Sequence, residues 1–373
     1  EGSLKKNLAS LNPGRTDADE WRELCYGRRE KFAIDYNWNY TFFKNKPKES
    51  YGFRISPRYR FNNQFSLVYG FRYSKTNNDQ GFANEIDQDD VLARLLHEID
   101  EFFQTYAEQL DRVTSIAVTL PGLVNSEQGI VLQMPHYNVE NLALGPEIHK
   151  ETGLPVFIAN DTRAWALAEK LFGNSQDNDN SVLISIHHGL GAGIILDGRV
   201  LQGRHGNIGE LGHIQIDKQG KLCHCGNRGC LETVASSQAI REQVKERIAQ
   251  GERSSLEGIE DVTIEQICAA AAEGDPMAVE VIEQLGHYLG SAISIVINLF
   301  NPEKILIGGV VNQAKSVLYP AIQKCIEEQS LKVYHQDLEL MESRFYKQAT
   351  MPGAALIKQA LYDGQLLMRV IEG

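Results

Sequence analysis

Three cysteines within eight residues, Cys223, Cys225 and Cys230, follow a Glu210-Leu211-Gly212-His213 segment, and this stretch constrains the chain more than any other. A C-x-C-x₄-C spacing is too tight for independent disulfides, whereas thiolates joined by an imidazole are what a closed tetrahedral zinc site takes. His213, Cys223, Cys225 and Cys230 therefore read as one Cys₃His set. Gly220, Gly226 and Gly229 stand where the chain must fold back around an ion. Thiolates held this way imply a reducing compartment, so a cytoplasmic location is expected. Glu210 and Glu232 bracket the set; acids so placed read as partners of the ligands or of a molecule bound beside them, with solvated carboxylates as the alternative. Cys25, Cys268 and Cys325 are scattered and read as small buried apolar residues.

At 373 residues there is chain enough for two or three lobes, each with its own core. A formal net charge of −12 argues against a surface that tracks a phosphate backbone. No apolar run is long enough for a membrane helix. The start, Glu1-Gly2-Ser3, has neither an initiator Met nor a signal-peptide core, and reads as a fragment or a processed chain.

Residues 1–84 differ from the rest. Aromatics alternate with polar residues at Phe32, Ile34, Tyr36, Trp38, Tyr40 and Phe42, then at Tyr51, Phe53 and Ile55, then from Phe65 to Tyr73. Period two predicts three antiparallel strands, with turns near Asn45-Lys46-Pro47 and Asn62-Asn63. Three strands cannot close an outer-membrane barrel, so a half-buried sheet docked on the following unit is expected. From 88 to 110 the period changes to 3.6, the mark of an amphipathic helix. Buried-strand runs follow at 114–120, ending in Pro121-Gly122, and at 155–159, delivering Asn160-Asp161 to a helix. Another strand, 181–186, leads into His187-His188-Gly189-Leu190-Gly191-Ala192-Gly193 and a hairpin with an Asp197-Gly198 turn. Helices are expected over 236–250, 263–273, 275–299, 316–329 and 354–371, with one more strand at 304–307 ending in Gly308-Gly309. Strands alternating with helices make residues 86–373 an α/β unit.

Asp161 at the mouth of a buried strand can cap the following helix or act as a general base toward a sugar hydroxyl. Gly189, Gly191 and Gly193 can bring backbone close to a phosphate or form a tight turn. His187 and His188 point to opposite faces, so at most one faces a site.

Taken together, Pro121-Gly122-x-Val124, Asn160-Asp161, the glycine turn, Glu210-x-Gly212-His213, Cys223-x-Cys225-Gly226-x-x-Gly229-Cys230-x-Glu232 and Ile307-Gly308-Gly309 resemble the ROK family of repressors and sugar kinases. The resemblance covers residues 86–373. It implies an actin-like, hexokinase-like two-lobed ATPase fold with a zinc knuckle, preceded by an atypical aromatic-rich β segment. The lobes would be 85–180 and 181–373, the latter carrying the knuckle and the oligomerisation helices. By resemblance Asn160, Asp161, Glu210, His213 and Glu232 contact sugar, with Asp161 at the kinases' catalytic-base position. His213 would bind zinc through one nitrogen and meet a sugar hydroxyl with the other. Gly189, Gly191 and Gly193 match the second phosphate loop as a remnant, with Leu190 where kinases carry Thr. The family kinases' first phosphate turn, Asp-x-Gly-Gly-Thr, is absent from 1–85, which argues against ATP because positioning is most of phosphoryl-transfer catalysis.

The resemblance therefore implies a ROK-type transcriptional regulator that senses a sugar or sugar phosphate, with structural zinc and a homodimeric or homotetrameric assembly. A glucose-type phosphotransferase transporter is an implied partner, at a surface carrying His136 and the closing helix. No helix-turn-helix is visible in 1–84, so operator DNA is expected to bind only if a reader domain is supplied. Residues 1–84 read as a foreign or rearranged segment joined near 81–84. The alternative is a zinc-containing kinase of glucose, N-acetylglucosamine or N-acetylmannosamine.

Overall fold

The computed structural model describes residues 50–52, 59–61, 64–66, 74–76, 88–107, 110, 113–134, 138–203, 207–348 and 350–372. In the N-terminal part these are four three-residue strands. β1 (Ser50–Gly52) pairs antiparallel with β4 (Ser74–Thr76), and β2 (Tyr59–Phe61) with β3 (Gln64–Ser66), the latter on either side of Asn62-Asn63. The rest of the expected aromatic strands over 32–73, the Asn45-Lys46-Pro47 turn, Cys25, the 81–84 join and His136 lie outside the described residues.

Helix α1 (Gln88–Thr105) is amphipathic and ends five residues short of the expected 110. Its stripe of Val91, Leu92, Leu95, Leu96 and Ile99 packs on a core made by β5 (Ile116–Leu120), the antiparallel β6 (Leu123–Asn125), β7 (Ile130–Met134) and β8 (Val139–Leu142), and α2 (Leu144–Thr152). β9 (Val156–Asn160) runs parallel to β5, so Leu120 and Asn160 end the two strands side by side. From there α3 (Asp161–Phe172) carries the chain away.

The second core is built on a five-stranded sheet. β10 (Ser181–Ile186) is buried at every position, which is why it reads as one apolar run and takes the centre. β11 (Leu190–Leu196) returns antiparallel, and the hairpin to β12 (Arg199–Val200) turns through Asp197 and Gly198 at φ 50° and 73°. After the knuckle come α4 (Glu232–Ala235), α5 (Ser237–Ala249), α6 (Ile264–Ala272) and α7 (Pro276–Phe300), then β13 (Lys304–Gly308), parallel to β10. Asp275 caps α7 through the Ala278 N–H at 2.9 Å, with Pro276 in the first turn, and Asn301 ends it in the left-handed region. α8 (Lys315–Gln329) lies so close to α7 that a Cβ on Gly286 would stand 2.5 Å from the Ala321 Cβ. α9 (Lys332–His335) leads to edge strand β14 (Glu339–Glu342), which completes the order β12-β11-β10-β13-β14. The helices from α5 to α8 cover one face of this sheet; α3 and α10 (Met351–Tyr362) cover the other.

The single closing helix expected over 354–371 is instead two. α10 stops at Tyr362, Gly364 adopts φ 74°, and α11 (Gln365–Glu372) begins after it. Arg369 of α11 donates to the carbonyls of Val156 and Glu127 and lies over the Phe157 ring, fastening α11 to β9.

Candidate functional site

The knuckle is a chain of tight turns. Gln215 bridges Cys230, Ile216 N–H donates to the Gly229 carbonyl at 2.8 Å, and Cys223 N–H donates to that of Asn227 at 2.8 Å. Gly229 sits at φ 69°, and a Cβ there would overlap the Asp217 carbonyl oxygen at 1.4 Å, so only glycine closes this loop. The ligand atoms of His213, Cys223, Cys225 and Cys230 all lie within 4.8 Å of one another. Cys223 Sγ is 3.7 Å from His213 Nδ1, and Cys225 Sγ is 3.6 Å from Cys230 Sγ. Metal–ligand bonds of about 2.3 Å to sulfur and about 2.0 Å to nitrogen give tetrahedral edges of roughly 3.5–3.8 Å, so the donor set fits zinc.

Burial, with the neighbouring thiols, pushes the Cys230 thiol up to about 12, and burial raises Cys223. For exposed Cys225 burial also acts upward, but hydrogen bonds from Asn227 and the two other cysteines outweigh it and the net shift is down. Buried thiols that resist ionising unaided are suited to a site where a dication neutralises their charge.

Glu232 opens α4 beside the knuckle. Its Oε2 accepts the Leu190 N–H at 2.8 Å, and its Oε1 lies 3.1 Å from His224 Nδ1. A Cβ on Gly189 would come within 2.6 Å of that Oε2. The two other glycines of the turn have packing reasons: Gly191 faces the Thr162 hydroxyl, and a Cβ on Gly193 would stand 2.5 Å from the Ala166 Cβ of α3. The Gly209 carbonyl accepts the Ala192 N–H at 2.8 Å, and Gly212 lies against the Leu190 carbonyl. The turn thus links the segment carrying Glu210 and His213 to the start of α3.

At that start the cap is Asn160, not Asp161. Asn160 Oδ1 accepts the Arg163 N–H at 3.1 Å while its Nδ2 donates to the Gly122 carbonyl at 3.2 Å. Asp161 Oδ1 accepts from the N–H of Thr162 at 2.7 Å and from its hydroxyl at 3.3 Å. The residue that the sequence did not single out is Arg163, only 6% exposed. Burial lowers its pKa, while the carboxylates of Glu210 and Asp161 act to raise it. Its guanidinium therefore sits in the field of both acids. Its neighbour Trp165, buried, stacks on His187 at 5.4 Å and covers Gly308. His187 is half-buried against that ring and His188 is exposed.

The profile of the ROK family matches residues 76–360. That of a domain of unknown function, DUF5916, matches residues 15–116. The DNA-binding transcriptional repressor Mlc of Escherichia coli K12 is 42% identical over 284 residues, 76% of this chain and 70% of the relative. The transcriptional dual regulator NagC of the same strain is 44% identical over 278 residues, 74% and 68%. Among solved structures, a ROK family transcriptional regulator described as a homolog of E. coli Mlc superposes with a TM-score of 0.76 at 69% identity, covering 96% of this chain and 87% of that one. A ROK glucokinase from Streptomyces griseus, solved with glucose and AMPPNP, shares the fold at a TM-score of 0.66 and 22% identity, covering 85% and 98%.

Proposed function

This chain belongs to the ROK family, and from that premise we propose that it is a transcriptional regulator of sugar metabolism whose body senses a hexose-class effector. The observation that carries the sensing role is the Glu232 carboxylate on the Leu190 N–H. Backbone donors of a glycine turn are what a phosphate-transfer site offers to phosphate. An acid already seated on that donor repels phosphate, and carboxylates gathered beside it suit the hydroxyls of a neutral sugar.

In this reading Asn160, Asp161, Glu210, His213 and Glu232 bind effector hydroxyls. Zinc would be held by His213, Cys223, Cys225 and Cys230, and would brace the loop. His213 Nδ1, facing Cys223, is the nitrogen turned toward the metal set. The lobes are taken as 85–180 and 181–373, with 1–84 a separate segment, on the family resemblance and the change of sequence pattern near 85. Operator DNA follows from the repressor relatives' names. Capture by a phosphotransferase-type transporter, homo-oligomerisation and a cytoplasmic location rest on the family resemblance. Among the described residues no helix is long and apolar enough to cross a membrane.

The test is thermal shift and calorimetry with glucose, N-acetylglucosamine, N-acetylmannosamine, their 6-phosphates and ATP, with metal content measured on the same sample. A sugar response without ATP consumption is expected. ATP turnover that depends on sugar and is lost in Asp161→Asn would instead establish the kinase.

A further inference from the structure

His224 lies between two cysteines of the knuckle, with its Nδ1 3.8 Å from Cys223 Sγ. Its Nδ1 stands 3.1 Å from Glu232 Oε1, and its ring meets that of His213 edge-on at 5.3 Å. The side chain of Glu232 is only 12% exposed and that of His224 28%, so the carboxylate is largely shielded from water while the ring keeps one edge toward solvent. The loop that carries His224 is fixed on both sides, by Cys223 N–H on the Asn227 carbonyl and by Gly226 N–H on that of Cys223. Glu232 is thereby held at both oxygens, one by a ring of the metal loop and the other by the Leu190 N–H of the glycine turn. Gly189 makes room for that carboxylate, since a Cβ there would sit 2.6 Å from Oε2.

We propose that His224 is a positioning residue that couples the metal knuckle to the 189–191 turn through Glu232. With the proton on Nδ1 it donates to Oε1, which fixes the carboxylate plane and aims Oε2 at Leu190. Order in the cysteine loop is then transmitted to a turn on the central sheet by one side chain that is not a ligand. The part of this inference that concerns sugar rests on the effector site proposed above; the coupling itself does not.

The experiment uses the full chain loaded with zinc, in wild type, His224→Ala, His224→Asn, Glu232→Gln and the His224→Ala/Glu232→Gln double variant. Hydrogen exchange of the segment 187–191 is followed without sugar, and zinc is counted in each sample. Exchange at Leu190 is expected to rise roughly tenfold in His224→Ala, the scale of one hydrogen bond to a charged group. It should rise as much in Glu232→Gln and no further in the double variant. Asn, whose amide can take the place of Nδ1–H, should restore most of the protection. Zinc should stay at one per chain throughout. Unchanged exchange in His224→Ala, or additive effects in the double variant, would overturn the proposal. So would a fall in bound metal from two to one, because His213, His224 and Glu232 also lie close enough to hold a second dication. If the exchange pattern appears but no sugar shifts the wild type, the effector reading fails and the coupling stands.

Discussion

Arg163 and Asn207 meet at a single oxygen: Nη1 and Nη2 of the arginine both donate to Asn207 Oδ1, each at 3.2 Å. The same oxygen accepts the Val124 N–H at 3.0 Å. One amide thus joins the first turn of α3, strand β6 and the segment leading to Glu210, and it does so around a buried cation.

Asn207→Ala should therefore cost about 2 kcal/mol, the scale of hydrogen bonds to a charged group left without its acceptor. Asn207→Asp, which keeps an oxygen in place, should cost less than the alanine variant. Urea denaturation of the two variants checks this; a loss under about 0.5 kcal/mol for alanine would show that Arg163 draws its support from Glu210 and Asp161 instead.

Removing the metal should loosen more than the loop that binds it. Cys230→Ser is expected to lower zinc content below one per chain and the thermal midpoint by more than about 5 °C. Cys268→Ser, equally buried but in α6 and outside the donor set, should leave zinc unchanged. Equal metal content in both variants would disprove the Cys₃His assignment.

Asp161→Asn should weaken sugar binding roughly tenfold or more, as expected when a charged acceptor of a hydroxyl becomes neutral. Isothermal calorimetry gives the ratio directly. A variant that binds like wild type would leave Asp161 with only its bonds to Thr162.

The cap of α7 predicts a pH dependence. Burial acts to raise the Asp275 pKa, but the N–H groups of Ala278 and Ser255 and the Ser254 hydroxyl outweigh it and the net shift is downward. A depressed folded value means that the stabilisation is complete above the unfolded pKa, near 3.9, and is lost as pH falls through the folded one. Asp275→Ala should cost about 1 kcal/mol at neutral pH, and the difference from wild type should shrink below about pH 4. A gap that stays constant down to pH 2 would contradict the carboxylate's role.

What the sequence made legible is what chemistry ties to spacing. The knuckle could be read because three cysteines within eight residues, with His213 ten residues before the first, are a spacing that few roles other than metal binding use. The Asp197-Gly198 hairpin could be read because few residues tolerate its left-handed backbone, and the start of α7 because an Asp side chain can cap a helix whose first turn accepts Pro276. β14 escaped because Glu339-Leu340-Met341-Glu342 is a short edge with no continuous apolar run. β6 to β8 escaped because each is only three to five residues long, although Asn125 and Gly129 mark the turn between β6 and β7. The break at Gly364 was visible as a glycine but was overridden by the helical period on both sides. Arg163 and Asn207 could not be paired from sequence, since an arginine on a helix ordinarily faces solvent and its acceptor lies 44 residues away. His224 was hidden by its neighbours, whose metal chemistry explains the motif without it.

The parallel pairing of β10 with β13 joins Ser181 directly to Lys304. Everything between them, the knuckle and α4 to α7 included, must leave the ribosome before the middle of the sheet can close. Until then β10 offers an open edge beside the hairpin of β11 and β12, the kind of edge that recruits other chains. The knuckle is local and needs none of these distant contacts, so it can take up an ion first and fix Glu232 at the start of α4. Zinc supplied during synthesis is then expected to raise the soluble yield of this protein more than zinc added after purification.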